Sequence, residues 1–310
     1  MSAVTSTPLS GIRALVVGLG SIGATHARVL ESLGATVEAV SRRESAEGTT
    51  THASIEAALA GDGFDYCVVA SATSDHAADV RALAGAGFAG TLLVEKPIAL
   101  WSGELPAELP FAHVGVGYNL RFHPAVGWLR RQLEGQDALV VDVAAQSFLP
   151  GWRPGRDHRE TASGSRARGG GVLRDLSHEL DLMLWLFGEP RQAMALGGNL
   201  GDLGIDAETA ACAVLELEQA PIATLRLSYL DRLPERRVRV TTASDTLEAD
   251  LLSGECRTSS AGERYEIDWT KTYADLHLAM LGPDRDAVCT LGEGLRVVAC
   301  IEELEGAWAG

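Results

Sequence analysis

The chain has 310 residues, 46% of them hydrophobic, and a formal net charge of −16. That length suits two domains, and no apolar run approaches the ~20 residues of a membrane span. The acidic balance argues against nonspecific nucleic-acid or anionic-membrane binding, both of which need a basic face. Five scattered cysteines, odd in number and without CxxC spacing, argue against a disulfide framework or zinc site and fit a reducing cytoplasm. No metal is expected. The start, Met1 to Pro8, lacks a basic region followed by a long apolar core, so no signal peptide is expected.

In chain order, residues 12–17 read as a strand. The helix after Gly23 carries Ala27, Val29 and Leu30 and stops at Gly34. A second strand is expected over 36–40, a short helix capped by Ser54 over 54–60, and a strand over 66–70. A helix over 75–86 and strands over 91–94 and 114–118 follow. This alternation implies a parallel sheet with crossover helices. From Pro124 the texture changes. After a helix over 125–133, period-2 alternation over 139–148, 209–217, 222–229, 237–242 and 246–251 predicts an open antiparallel or mixed sheet with one wet face. Helices are expected over 172–187 and 291–308. The expected architecture is a doubly wound parallel domain over 1–121 and an α+β domain over 122–310.

Gly18-Leu19-Gly20-Ser21-Ile22-Gly23 follows the first strand and opens a helix. A lone GxGxxG is common, but this context fits a dinucleotide pyrophosphate. Gly18 would make the tight turn, Gly20 would admit the phosphates to the backbone of Ser21 and Ile22, and Gly23 would let helix pack on strand. The residue type after the second strand usually selects the cofactor. Here Ser41, Arg42 and Arg43 stand where a carboxylate would accept the adenosine 2′-hydroxyl. A hydroxyl and guanidinia favour a 2′-phosphate, hence NADP over NAD, unless the arginines are solvated or stack on adenine. Ala72, Thr73 and His76 follow the next strand and would line the path to the nicotinamide ribose. His76 could equally be a helix residue with no ligand.

Lys96 and Lys271 are the only lysines among 26 basic residues. Lys96 closes the strand ending Leu92-Leu93-Val94, in Glu95-Lys96-Pro97, where ligands bind in such folds. A compact donor able to exchange its proton fits that place, and arginine cannot supply one.

The glycine turn, Glu95-Lys96-Pro97, Gly117-Tyr118-Asn119-Leu120-Arg121-Phe122-His123-Pro124 and the later Gly169 to Asp181 stretch, in that order, resemble the Gfo/Idh/MocA family of NAD(P)-dependent oxidoreductases. The resemblance implies a Rossmann domain, then an open-sheet domain that builds the substrate pocket and often the oligomer interface. It also implies sugar, polyol or related substrates. Lys96 would be a catalytic or substrate-orienting donor, with Glu95 holding it or its backbone in place. Tyr118, Asn119 and Arg121, at the expected domain boundary, would face the ligands, although Arg121 could be structural. The family helix usually carries Asp-x-x-x-His. Here Asp175 and His178 are three apart, and aligning His178 with Asp181 on the family's His-x-x-Asp puts Arg174 in the aspartate position. His178 is then the stronger acid/base candidate and Asp175 the weaker.

Trp152, Arg153 and Arg156 lie in a loop before that helix. Arginines gathered in an acidic chain suit a substrate carboxylate or phosphate, and Trp152 could stack on a sugar or base. A subunit-contact loop is the plainer alternative. W-R-P-G-R-D also resembles a branch of the family linked to acidic-sugar and surface-polysaccharide biosynthesis. The leading expectation is a hydride-transferring oxidoreductase on a sugar derivative, acidic or nucleotide-linked, active as a homodimer or homotetramer. A glycoside hydrolase using trapped NAD and a non-catalytic cofactor sensor are the alternatives.

Overall fold

In the computed structural model, residues 7–41, 49–61 and 63–308 are described. The chain forms two compact units. The first comprises residues 1–119 and 269–294, the second residues 120–268 and 295–310. The sequence puts the boundary at 121/122 with one continuous second domain, whereas here residues 269–294 group with the first unit.

The first unit begins with β1 (Arg13–Val17), α1 (Ser21–Ser32), β2 (Thr36–Val40), β3 (Thr50–His52) and α2 (Ile55–Leu59). It continues with β4 (Tyr66–Val69), α3 (Thr73–Gly85), β5 (Thr91–Val94) and β6 (His113–Val116). The strands β6-β5-β4-β1-β2-β3 are parallel neighbours in that order. Strand order therefore reverses between β1 and β4, the place where open parallel sheets bind ligands at their carboxyl ends. Leu15, Val16, Val68, Val69, Leu92 and Leu93 are completely buried. Helices on both faces explain why these strands read as unbroken apolar runs. Ser54 caps α2 through Ala57 N at 3.2 Å, and Gly34 ends α1 with φ +98°, both as expected.

The second unit opens with α4 (Pro124–Leu133), β7 (Ala138–Phe148), α5 (Val172–Asp175) and α6 (Ser177–Phe187). Next come β8 (Pro190–Gly198), β9 (Ala210–Leu217), β10 (Ala220–Ser228), β11 (Leu230–Thr242), β12 (Thr246–Asp250), β13 (Glu255–Arg257) and β14 (Gly262–Arg264). They form an eight-stranded sheet in the order β14-β13-β12-β11-β7-β10-β9-β8. Only the β10–β7 pair among these is parallel. In β9 the alternation is clear: Ala211, Ala213, Leu215 and Leu217 are buried while Cys212 and Val214 are exposed. The expected single helix over 172–187 is two helices, broken at Leu176, whose φ of −100° and ψ of 28° are not helical.

Back in the first unit, α7 (Trp269–Leu281) packs against α1, and β15 (Cys289–Thr290) adds an antiparallel edge to β6. Neither was expected. The expected last helix is α8 (Leu291–Trp308). No helix of the described residues is long and apolar enough to cross a membrane, and all five cysteines are free.

Candidate active site

The glycine turn leaves β1 at the switch point. Gly18 has φ +94°, and a β-carbon there would lie 2.8 Å from the backbone of Ser71. A β-carbon on residue 23 would run into the carbonyl oxygen of Gly18. Both positions therefore require glycine for packing alone. Gly20 differs: a β-carbon there would meet no atom within 4 Å. Gly20 is also the N-cap of α1 and offers no side-chain cap, so the N–H groups of Ser21, Ile22 and Gly23 need another acceptor at a positive helix end. Open space over an uncapped helix start fits a pyrophosphate. Gly18, Gly20, Ser21, Ile22 and Gly23 would hold it, with hydrogen bonds from the backbone.

Ser41 lies just beyond β2, and Arg42 and Arg43 lie outside the described residues. The carboxylate nearest the strand end is Glu38. It accepts from Arg13 at 2.9 Å and contacts His52 Nε2 at 2.6 Å. The His52 hydrogen bond, more than Arg13, holds its carboxyl below the usual range.

Ala72 is the N-cap of α3 without a side-chain bond, and Thr73 begins the helix. His76 is buried, with Nδ1 2.9 Å from Pro97 O and Nε2 3.3 Å from Ser71 O. Burial holds its pKa below the ordinary histidine value. A neutral imidazole has one N–H, which the shorter contact assigns to Nδ1 donating to Pro97 O. His76 thus ties α3 to the loop that follows β5.

Lys96 follows β5, and its peptide bond to Pro97 is cis. Glu95 is buried, and its Oε2 accepts Lys96 N at 3.0 Å. Of the two roles considered for Glu95, a contact with the backbone of Lys96 is therefore present. Tyr118 is buried. Asn119 donates to Thr272 Oγ1 at 2.7 Å, again drawing α7 to this strand edge.

In the second unit, every residue from Gly171 to Met183 is buried except Asp175 and His178, which are half-exposed. The break at Leu176 leaves accessible the two side chains of that stretch expected to do acid/base work. Arg174, the competitor for the aspartate position, is instead turned inward and paired with Glu305. Tyr229 donates to Asp175 Oδ2 at 2.7 Å. Arg121, expected at the substrate, is buried in a two-pronged ion pair with Asp181, at 2.6 and 3.0 Å. It also lies over the Trp185 ring at 4.9 Å. The structure gives it the task of seating α6.

The arginine-rich loop is a run of short 3₁₀ turns between 149 and 168. A small, half-open pocket with room for about one water lies there, lined by Trp152, Arg153, Arg156, His158, Thr161 and Ser163 among others. Trp152 donates to Ser147 Oγ at 2.8 Å and meets Tyr229 edge-on. Asp157 pairs with Arg159 at 2.6 Å. Among the described residues, neither Arg153 nor Arg156 has an ion-pair partner.

Several residues near these sites escaped sequence reasoning: His26, Tyr66 and His277 behind Glu95, and Glu208 and Tyr229 behind α5. Each lies outside the motifs of the sequence. Only burial without an obvious partner could have marked it.

No curated protein matches the chain. Among solved structures, UDP-N-acetylglucosamine 3-dehydrogenase GnnA from Acidithiobacillus ferrooxidans superposes with a TM-score of 0.77 at 23% identity, covering 96% of this chain and 97% of that one. GenD2 from gentamicin A biosynthesis, solved with NAD, gives 0.79 at 24%, covering 100% and 97%. Levoglucosan dehydrogenase with NADH and L-sorbose gives 0.82 at 12%, covering 96% and 97%. At these identities the likeness establishes the fold. Two family models match the sequence itself: an oxidoreductase family NAD-binding Rossmann fold over residues 12–108 and a GFO/IDH/MocA C-terminal domain over residues 143–248. Together with the glycine cradle at the switch point of the first sheet, they make this chain a member of the Gfo/Idh/MocA family of NAD-dependent oxidoreductases.

Proposed function

We propose that the protein catalyses hydride transfer between a nicotinamide cofactor and a carbinol or carbonyl carbon of a sugar derivative bearing an anionic group. The carrying observation is the small pocket beside Trp152 with two guanidinia, Arg153 and Arg156, that have no ion-pair partner among the described residues, in a chain of net charge −16. Guanidinium forks suit a carboxylate or phosphate, and a neighbouring indole suits a sugar ring or base. The relatives named for UDP-N-acetylglucosamine and levoglucosan agree with a sugar-like substrate.

When bound, the nicotinamide supplies or accepts the hydride. The protein's part is to position the substrate and move the proton on its oxygen. Lys96, at a strand end of the cofactor sheet, and His178, accessible on an otherwise buried stretch, handle that proton. Asp175 is oriented by Tyr229 and supports His178 electrostatically. Tyr118 and Asn119 shape the strand edge beside Lys96. NADP is the preferred cofactor: Glu38, engaged by Arg13 and His52, is not offered to an adenosine 2′-hydroxyl, and Ser41 is followed in sequence by Arg42 and Arg43. A homo-oligomer in the cytoplasm completes the reading. Met194, Leu196, Val214 and Ile222 are exposed on strands of the second sheet, Met194 and Leu196 at 72% and 78%, a surface suited to a second copy.

The test is turnover by Lys96→Arg and His178→Ala on a panel of UDP-sugars and sugar acids with NADPH or NADP. Losing a proton-handling group should lower kcat by roughly 10²–10⁴ and leave cofactor binding intact. Near-normal turnover in both variants would refute the assignment.

A further inference from the structure

Behind Lys96 runs a buried chain of four side chains from four parts of the first unit. Tyr66 Oη of β4 lies 2.9 Å from His277 Nδ1 of α7. His277 Nε2 lies 3.0 Å from His26 Nδ1 of α1, and His26 Nε2 lies 2.8 Å from Glu95 Oε1. Glu95 Oε2 then accepts the backbone N–H of Lys96. Tyr66, His26 and His277 are 0% exposed and Glu95 is 7% exposed.

Proton counting gives the chain a direction. A phenol and two neutral imidazoles carry one transferable hydrogen each, and the three links need three. With Glu95 ionised, every link is satisfied in one arrangement: Tyr66 donates to His277 Nδ1, His277 Nε2–H to His26, and His26 Nε2–H to the carboxylate. Burial holds His277 well below and Tyr66 well above their ordinary pKa values, so both stay neutral. Glu95 lies below the usual carboxylate range although desolvation pushes it up, the His26 hydrogen bond being the largest of the interactions that lower it. Such chains polarise link by link in a low dielectric. The packing leaves room for the carboxylate because residue 117 is glycine: a β-carbon there would sit 2.8 Å from Glu95 Oε1.

We propose that Tyr66, His277 and His26 are positioning residues for Lys96, a one-way row of buried donors that holds Glu95 ionised and fixed, and through it the turn from which Lys96 projects. The idea deepens the reading of Lys96 as a proton-handling group and rests on it.

The test uses the two-lysine composition. Reductive ¹³C-methylation of the full-length protein labels Lys96, Lys271 and the amino terminus, so Lys96 can be followed by NMR with Lys271 as internal reference. ¹⁵N spectra of the unmodified protein report the imidazole tautomers. His26 and His277 should both be Nε2–H tautomers at neutral pH. His26→Leu should displace the Lys96 signal by more than its linewidth and leave Lys271 in place. His26→Gln, which returns an N–H donor toward Glu95, should restore it. An Nδ1–H tautomer at His26, or an unmoved Lys96 signal in folded His26→Leu, would overturn the proposal. Should His26→Leu fail to fold, the wild-type tautomers and the His26→Gln signal decide. Lys96→Arg turnover tests the underlying function separately, because full activity there would remove Lys96 from the chemistry without touching these spectra.

Discussion

The hydroxyl of Tyr229 donates to the Asp175 carboxylate at 2.7 Å, from a residue buried between β10 and β11 to one that is half-exposed. Burial, and after it the Asp175 charge, raise the phenol well above its ordinary pKa, so the donor hydrogen stays in place at any working pH. Tyr229→Phe removes that hydrogen bond and the one its oxygen accepts from the Gly171 backbone. The expected stability loss, read by urea denaturation, is about 1.5–3 kcal/mol, the range for a hydrogen bond to a charged group. The part of the loss that vanishes in the Asp175→Ala background belongs to this pair.

Two glycines of one motif should fail differently. Gly23→Ala drives a β-carbon into the Gly18 carbonyl, and overpacking of that kind costs typically 1–3 kcal/mol. Gly20→Ala enters open space and should leave thermal unfolding unchanged while weakening NADH and NADPH in calorimetric titration. Equal stability losses in the two variants would contradict the cradle described here.

The Arg121–Asp181 pair is completely internal, with side chains 1% and 0% exposed. Asp181→Asn or Arg121→Met alone should cost about 3–5 kcal/mol, because each strands a buried charge. The double replacement Arg121→Met with Asp181→Leu should recover much of the loss. Denaturant midpoints with unchanged slopes would measure both.

Glu208 should make stability fall as pH rises. It is 4% exposed, its Oε2 has no hydrogen-bond partner among the described residues, and burial raises its pKa from 4.5 to about 7. The native state keeps the proton between those values and the unfolded chain releases it. The contribution is therefore complete below 4.5 and lost as pH rises through 7. At about 1.4 kcal/mol per pH unit, the interval corresponds to roughly 3 kcal/mol. Glu208→Gln should match wild type near pH 5 and exceed it by about that amount near pH 8. His123 works oppositely: burial, then Arg236, lowers its pKa from 6.5 to about 4, so stability is lost as pH falls through that window. The two slopes oppose each other between them, and Glu208→Gln should unmask the histidine's.

Arg153→Ala and Arg156→Ala should raise KM for an anionic sugar several-fold and leave NADPH affinity unchanged, as measured by steady-state kinetics and fluorescence titration. Normal KM with a smaller assembly by light scattering would make the loop a subunit contact and remove the main support for an anionic substrate.

The parallel strands were legible because burial on both faces writes them as short unbroken apolar runs. The second sheet was legible because one wet face writes alternation. β3, β13, β14 and β15 have two or three residues, too few to show any period. The break at Leu176 carries no glycine or proline and is imposed by tertiary packing. Local motifs singled out the glycine turn, and they are the source of the proposal for Lys96 and His178. Arg121 and the Tyr66–His277–His26–Glu95 chain were not legible, because their meaning lies in partners as many as 251 residues away.

The return of residues 269–294 to the first unit sets an order of events during synthesis. Gly115 of β6 faces Met280 and Val288, and Cys289 pairs with Val116. A nascent chain paused near residue 260 therefore holds the cofactor sheet without its edge strand, and His26 without His277. Such long-range closure comes late and leaves apolar surface exposed meanwhile. An excised fragment of residues 1–119, although it carries the whole glycine motif and Lys96, is a dinucleotide domain with one wall missing.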